Sequence, residues 1–263
     1  MQKNLKECLQ AKMSQLRHFG YIKYNVMHAS KKDILGLQAD LRKEFIKGNK
    51  DFNLLKSLSL LAEVVKAQHA LELLETQGIQ SVYNYMDRLF AESARSKVKA
   101  VKNLAKDTNF KSAFILARKL YEDNDEHPKL IELKKIAAEE VSQDRKLIIF
   151  TQYRDSCSQI VAELNKIDGV KAKLFVGQMK KNETGLSQKE QRRILDEFRA
   201  DEFNILVCTS IGEEGLDIPS VDLVIFFEPI PSAIRTIQRR GRTGRQEKGR
   251  VIILMTSNTR DEA

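Results

Sequence analysis

Four arginines and two glycines fall within eight residues of this chain, in the segment QRRGRTGR at 238–245. Arginine stays charged at any working pH, and its planar guanidinium binds phosphate oxygens through two parallel hydrogen bonds. Glycine allows the backbone to turn close to a ligand. The pattern therefore indicates phosphate chemistry, although a run of arginines on its own more often forms a solvated basic loop.

Two further segments favour the phosphate interpretation. Residues 209–219 read TSIGEEGLDIP and directly follow the strand-like run 204–208, and residues 147–153 read LIIFTQY, a buried strand that continues into Thr151 and Gln152. Hydroxyl, amide and acidic groups that follow a strand lie where ligands bind to α/β sheets. We expect these groups and the arginines to share one site.

The two halves of the chain carry different patterns. Residues 1–140 have apolar side chains at helical spacing almost throughout, including one long helix at about 53–76. Beyond residue 141, helices alternate with short apolar strands, which are expected at 147–150, 172–176, 204–208, 223–227 and 251–255. This alternation predicts an α/β domain with a parallel sheet and helices on both of its faces. Right-handed crossovers would then bring the strand ends, and the segments that follow them, to one edge.

In chain order, residues 147–153, 209–219 and 238–245 resemble motifs IV, V and VI of superfamily 2 helicases. The chain from about Leu147 onward therefore resembles the second RecA-like domain of those motors. The segments GLSQKEQ (185–191), ILVCTSIGEEGLDIP (205–219) and IQRRGRTGR (237–245) are similar to the Hef and Fanconi anaemia M branch, whose members are helicases and translocases of forked DNA. RIG-I-like receptors and Dicer share the layout and act on double-stranded RNA.

The resemblance implies an all-helical, thumb-like insertion domain at 1–140 and a second RecA-like domain at 141–263. It also implies that ATP binds between two RecA-like domains and that Arg242 and Arg245 act as arginine fingers on its γ-phosphate. Four further residues match nucleotide-binding positions of the family: Gly215, Asp217, Gln238 and Arg239. Asp217 alternatively caps a turn before Pro219, and Arg239 alternatively supports the loop through an acidic partner.

Contacts to the nucleic-acid backbone are implied after three of the strands. The matching residues are Thr151, Gln152, Gly177, Gln178, Thr209 and Ser210. Hydroxyl and amide groups of this kind hold phosphates without reading base sequence. The alternative interpretation of residues 151–152 and 177–178 is an ordinary turn at a strand end.

The sequence lacks the Gly-x-x-x-x-Gly-Lys-Ser/Thr loop that binds nucleotide phosphates. The acidic segment 125–127 precedes Pro128 and follows a predicted helix, so we expect a helix-to-helix turn there rather than the acidic metal-binding motif of these motors. The resemblance then implies that the first RecA-like domain, with the ATP phosphate loop and the Mg²⁺ carboxylates, lies before Met1, and that this chain alone is inactive as an ATPase. No metal ligand is expected within the chain itself. In some Hef-type proteins a nuclease domain follows the motor domains. Whether a nuclease domain follows Ala263 is left open by the sequence.

A row of basic residues in the helical half predicts nucleic-acid binding independently of the resemblance to helicases. Arg95, Lys99, Lys102 and Lys106 are spaced i, i+4, i+7 and i+11, which is one face of a single helix, and no acid lies between Lys97 and Lys106. We expect this face to bind a duplex backbone. A merely solvated face is the alternative.

The charge distribution agrees with a polyanionic partner for the first half. The chain carries a net charge of +9, and by count residues 1–140 hold 25 Lys+Arg against 18 Asp+Glu; a thermophilic surface rich in charge pairs would also fit. No apolar run long enough to cross a membrane and no signal segment is present. The three cysteines are far apart, as expected for buried thiols in a cytoplasmic protein.

The sequence thus predicts part of an ATP-dependent DNA helicase or translocase that acts on forked or branched DNA in replication-fork repair, associated with the nucleoid. Two alternatives stay open. One is an RNA-directed motor of the RIG-I or Dicer type. The other is a motor-derived nucleic-acid-binding module without activity.

Overall fold

The computed structural model describes residues 1–20, 31–49, 51–123, 126–177, 186–209, 221–229, 250–257 and 259–262. The chain divides into two compact units, Met1–Asp125 and Glu126–Ala263. Each unit is described separately below.

The described part of the first unit is helical, as predicted. Its helices are α1 (Gln2–His18), α2 (Lys31–Ile46), α3 (Phe52–Thr76), α4 (Ile79–Arg95), α5 (Lys99–Lys106) and α6 (Thr108–Glu122). Helix α3 is the central element, because α1, α2, α4 and α5 all pack against it. Its apolar side chains at helical spacing, including Leu54, Leu61 and Val64, are buried against Leu16 of α1 and Leu41 of α2.

Local sequence signals set both ends of α3. The Asp51 carboxylate accepts hydrogen bonds from the amides of Asn53 and Leu54, which have no partner inside the first helical turn. Gly78 follows the helix with φ of +92°, a conformation that a side chain would strain. The long helix therefore begins and ends where the sequence provides a cap and a glycine.

A break separates α4 from α5 and corrects one prediction. The sequence suggested a single helix carrying Arg95 together with the lysines of the basic row, but α4 ends at Arg95 and α5 begins at Lys99. Ser96 is extended, with ψ of 140°, and its Oγ accepts a hydrogen bond from the Val98 amide at 3.1 Å. This local bond replaces a helical one. The four basic residues are therefore divided between two helices.

The second unit is the predicted α/β domain. It contains α7 (Pro128–Ser142), β1 (Leu147–Thr151), α8 (Arg154–Leu164), β2 (Ala172–Phe175), α9 (Gln188–Arg199), β3 (Ile205–Thr209), β4 (Leu223–Phe226) and β5 (Arg250–Ile253), followed by a short 3-10 helix (Arg260–Glu262). The sheet order is β2-β3-β1-β4-β5, and every described strand pair is parallel.

Helices pack on both faces of this sheet. On one face, Leu147 and Ile149 of β1 pack with apolar residues of α7 and α8; on the other, Ile148 and Phe150 pack with α9. Alternate residues of one buried strand thus belong to two different cores, as expected for a parallel sheet between layers of helices.

The units meet earlier in the sequence than the 140/141 boundary that the composition suggested. Helix α7 belongs to the sheet unit, because Leu133 and Ala137 are buried in its core. Ion pairs tie it at both ends, from Lys129 to Asp261 and from Glu140 to Arg250. Its helical periodicity resembles that of the first half, so composition alone assigned it to the wrong side.

Among the described residues, no helix combines the length and apolarity needed to cross a membrane. All three cysteines, Cys8, Cys157 and Cys208, are unpaired and buried, in agreement with the prediction of buried thiols.

Candidate functional site

The carboxyl edge of the sheet brings motif IV and the start of motif V together. Thr151 ends β1 and lies opposite Thr209, which ends β3, in the register of the parallel pair. On the other side of β3, Phe175 pairs with Cys208, so that Gly177 follows β2 at the same edge. Sequence reasoning predicted this convergence, and it is confirmed for the residues that the structure describes.

Thr151 lies inside the domain rather than on the surface. Its side chain is fully buried, and its hydroxyl donates to Oε1 of Glu228 at 3.1 Å. The same oxygen accepts the backbone amide of Gln152, whose side chain is exposed. Of the two motif IV residues, Gln152 is therefore the one that is presented to solvent.

Thr209 is also buried, with 3% of its surface exposed. Within the described part of the chain, its hydroxyl has no hydrogen-bond partner. Buried hydroxyl groups are nearly always hydrogen-bonded. Thr209 is thus a polar group at the sheet edge whose bonding capacity is not used by the described residues.

The end of β2 is fixed by two side chains from the flanking helices. The guanidinium of Arg154, the first residue of α8, donates to the Gly177 carbonyl at 2.8 Å. Gln191 of α9 donates to the Val176 carbonyl at 2.9 Å. Gln191 belongs to the GLSQKEQ segment, so one part of that signature supports the edge of the sheet.

A buried ion pair closes the other end of this edge. Nζ of Lys129 lies 2.8 Å from Oδ2 of Asp261, which also accepts the Thr256 amide. The same Nζ lies 4.9 Å from the ring centre of Phe227, just beyond β4. The pair joins the start of α7 to the segment after β5.

The basic face in the helical unit is smaller than predicted but well defined. Lys99, Lys102 and Lys106 lie on one side of α5 and are exposed, while the opposite side is buried through Ala100, Val101 and Leu104. Arg95 is exposed at the end of α4. Among the described residues, none of these four cations forms an ion pair with a carboxylate.

Next to α5, a polar network centred on the buried side chains of Lys12 and Glu63 links four helices. Lys12 of α1 contacts Glu63 of α3 at 2.8 Å and Asp107, between α5 and α6, at 3.1 Å. Asn103 of α5 donates to Glu63 at 2.9 Å. Asp107 also caps α6 by accepting the Phe110 amide. The network holds α5 through Asn103, which lies beside the lysines, and through Asp107 at the end of the helix.

Charge balance within this network is visible in two shifted pKa values. Burial raises the pKa of Asp107, but the Phe110 amide and the charge of Lys12 outweigh that effect, so the net pKa is lowered. For Lys12, burial lowers the pKa, but the hydrogen bond and charge of Glu63 raise it overall. Both groups are thus held in their charged forms.

Several predicted site residues lie outside the described residues. They are Arg242, Arg245, Gly215, Asp217, Gln238, Arg239, Gln178 and Ser210. Of the acidic segment 125–127, Glu126 and His127 lie between α6 and α7, where His127 caps α7 by accepting the Lys129 amide. The expected helix-to-helix turn is confirmed for these two residues.

Sequence reasoning missed the groups that hold the site in place. Glu228 is an acid directly after an apolar strand, which was a usable signal. Lys12 and Lys129 fall on helices with several exposed charges, so their sequence context gave no sign of burial, whereas the apolar residues around Glu63 did. Their roles depend on partners far away in the sequence.

Comparison with known proteins matches both units. A family model for the helicase conserved C-terminal domain matches residues 128–247, and one for the helical bundle of ATP-dependent RNA helicases matches residues 1–124. The crystal structure of the Pyrococcus furiosus Hef helicase domain matches with a TM-score of 0.81 and 46% identity, covering 99% of this chain and 53% of that one.

Curated relatives agree on a helicase but differ on the nucleic acid. A Methanocaldococcus jannaschii protein named as an ATP-dependent RNA helicase is 42% identical over 209 residues, covering 78% of this chain. The ATP-dependent DNA helicase mph1 of Neurospora crassa is 33% identical over 223 residues, covering 80% of this chain. The chain spans only 26% and 19% of the lengths of these two relatives.

A helical bundle followed by a parallel sheet with motif residues at its carboxyl edge defines the C-terminal part of a helicase. The chain belongs to the superfamily 2 helicases, in the branch of Hef and Fanconi anaemia M.

Proposed function

We propose that this chain is the helical insertion and second RecA-like domain of an ATP-dependent DNA helicase or translocase that acts on forked or branched DNA. The observation that carries the proposal is the exposed face of Lys99, Lys102 and Lys106, which is free of ion pairs within the described residues. Such a face suits the phosphate backbone of a duplex, which binds through charge and counterion release. Work on DNA forks would place the protein inside the cell with the chromosome.

The helical unit supplies the electrostatic part of the contact. Arg95 and the three lysines of α5 bind backbone phosphates, and the network of Lys12, Glu63, Asn103 and Asp107 keeps α5 in a fixed orientation. Phosphate contacts of this kind position a protein on a duplex without reading its sequence. Preference for a branch therefore comes from the shape of the DNA rather than from its bases.

The sheet unit supplies the contacts that follow the strands. Five residues bind backbone phosphates of the DNA strand along which the motor moves: Gln152, Gly177, Gln178, Thr209 and Ser210. Thr209 is supported by its buried hydroxyl, which has no partner within the described residues. Thr151 acts instead from inside the domain, through its hydrogen bond to Glu228.

The ATP-dependent step is proposed from the sequence match in motifs V and VI. Arg242 and Arg245 stabilise the charge that develops on the γ-phosphate, a contribution of roughly 10³ to 10⁵ in rate in other nucleotide hydrolases. Gly215, Asp217, Gln238 and Arg239 complete the nucleotide contacts. The first RecA-like domain of the same protein provides the phosphate loop and Mg²⁺ ligands, and without it this chain does not hydrolyse ATP. A C-terminal nuclease domain is proposed as a further partner.

Binding of this chain to a forked DNA, a linear DNA duplex and a double-stranded RNA across a salt series tests the proposal. We expect tightest binding to the fork, with a log–log salt slope on the order of −3 to −4 for four phosphate contacts. Charge reversal at Lys99 and Lys102 should weaken binding and reduce the slope by about 2.

The matched control reverses Lys43 of α2 and Lys47 just after that helix, which are also exposed but already paired with Asp40 and Glu44. It changes the net charge by the same amount. Equal effects of the two double variants would reduce the α5 face to a general charge effect and contradict the proposal.

An RNA-directed motor is the second candidate, favoured by the name of the Methanocaldococcus relative. In that case the double-stranded RNA would bind more tightly than either DNA, with the same dependence on Lys99 and Lys102. A preference for forked DNA would exclude it.

A further inference from the structure

The carboxylate of Glu228 continues the hydrogen-bond ladder between β1 and β4 beyond the point where the strands end. The last backbone bond of this pair runs from the Phe227 amide to the Phe150 carbonyl at 2.8 Å. The next two donors on the β1 side are the Thr151 hydroxyl and the Gln152 amide. Both donate to Oε1 of Glu228.

This arrangement keeps a carboxylate inside the domain, where only 4% of the Glu228 surface is exposed. A buried charge is costly unless hydrogen bonds satisfy it. The hydrogen bond to Oε1 holds the Gln152 backbone two residues before α8 begins at Arg154. The exposed side chain of Gln152 starts from this fixed backbone.

Side chains also contact the residues that follow β2 and β4, on the two sides of the turn between β1 and α8. Arg154 donates to the Gly177 carbonyl after β2, and Lys129 lies against the ring of Phe227 next to Glu228. Of these anchors, Glu228 alone binds the Gln152 backbone among the contacts that the structure describes.

We infer that Glu228 is a positioning residue. It orients the turn at residues 152–153, between β1 and α8, so that the Gln152 side chain contacts a nucleic-acid phosphate. The inference rests on the proposed function, because it presumes that this edge binds nucleic acid. Glu228 does not touch the nucleic acid itself. It acts through the Gln152 backbone.

Removal of this carboxylate separates positioning from simple electrostatics, because the two predict opposite signs. Loss of a negative charge by itself should strengthen binding to a polyanion. If Glu228 positions Gln152, Glu228→Ala should instead weaken binding of this chain to forked DNA by about 2- to 10-fold, the net value of one hydrogen bond. Glu228→Gln keeps the acceptor oxygen and should bind at least as tightly as the wild type.

Two further variants guard against a general loss of structure. Thr151→Val removes the other donor to the same oxygen but leaves the Gln152 amide bonded, so it should weaken DNA binding less than Glu228→Ala does. Gln152→Ala should weaken binding as much as Glu228→Ala, and the double variant should be no weaker than either single one. Because Gln152 is uncharged, the salt slope should not change in any of these variants.

Amide hydrogen exchange at Gln152 provides a readout without DNA. Glu228→Ala should accelerate it, while Glu228→Gln should keep it slow. Wild-type affinity of the alanine variant, or additive effects with Gln152→Ala, would overturn the inference while leaving the proposed function in place if reversal of Lys99 and Lys102 still weakens binding. Failure of the wild type to bind any of the three nucleic acids would overturn both.

Discussion

Among the described residues, the ion pair between Lys129 and Asp261 is the most completely buried. It was not predicted from the sequence. Their side chains are 3% and 1% exposed. Such a pair contributes little relative to two apolar residues of the same shape, but loss of one partner leaves the other charge buried and alone. The pair therefore fixes one arrangement of α7 against the end of the chain rather than adding much net stability.

We predict that Lys129→Ala lowers the free energy of unfolding of the sheet unit by about 3 to 5 kcal/mol, because Asp261 stays buried without its counter-charge. Chemical denaturation monitored by circular dichroism measures the change. The control is Lys135→Ala, which removes an exposed pair with Glu132 and should cost less than about 1 kcal/mol. Similar losses in the two variants would show that the buried pair has no special role.

At Arg245, the expected effect is on catalysis rather than binding. In a longer protein that contains this chain together with a phosphate-binding loop, Arg245→Ala should lower the ATP hydrolysis rate by roughly 10³-fold or more. Affinity for forked DNA should stay within a few-fold of the wild type, because the α5 face is intact. Steady-state hydrolysis and DNA binding are measured on the same preparations, and a parallel loss of both would contradict the arginine-finger role.

At the scale of elements, sequence periodicity was sufficient for most of the fold. The long helix α3 was expected at about 53–76 and spans Phe52–Thr76, and all five described strands overlap their predicted positions. Strong apolar periodicity and clear end signals account for this success. The order of strands β2-β3-β1-β4-β5 was beyond reach, because pairing depends on contacts between distant segments.

The break between α4 and α5 shows what periodicity cannot detect. No glycine or proline marks residues 96–98, and the helical spacing of the charges continues through them. One serine hydroxyl bound to the Val98 amide is the local alternative to the helix. The prediction that the four basic residues are exposed is therefore confirmed, and the prediction that they share a single helix is wrong.

Anchoring of α5 through Asp107 should make the helical unit sensitive to acid. Burial raises the pKa of this carboxyl, yet the Phe110 amide and Lys12 bring it below its ordinary 3.8. A lowered folded-state pKa means that the stabilisation is complete above the unfolded-state value and is lost as the pH falls through the folded-state value. The sensitive range therefore begins near pH 4 and continues downward.

Asp107→Asn tests this element directly, since asparagine still caps α6 but carries no charge for Lys12. Between pH 6 and pH 3, the wild type should lose more unfolding free energy than the variant, measured by urea denaturation of the helical signal. Parallel curves for the two proteins would mean that Asp107 does not contribute to the acid response.

At the scale of the whole molecule, charge and chemistry are divided between the two units. By count, residues 1–125 hold 22 Lys+Arg against 14 Asp+Glu, and residues 126–263 hold 23 against 22. The net positive charge therefore resides almost entirely in the helical unit, more sharply than the predicted 140/141 boundary suggested. Long-range attraction of a polyanion is expected to act on that unit first.

Burial of every thiol has a practical consequence for spectroscopy. Burial raises the pKa of Cys8 to about 12 and also raises those of Cys157 and Cys208, so none offers a reactive thiolate at neutral pH. A single cysteine introduced at an exposed position such as Lys111 of α6 would then be the one site open to a maleimide dye. The natural protein thus provides a silent background for site-specific fluorescence, in which a lone fluorophore could follow DNA arriving at the helical unit in real time.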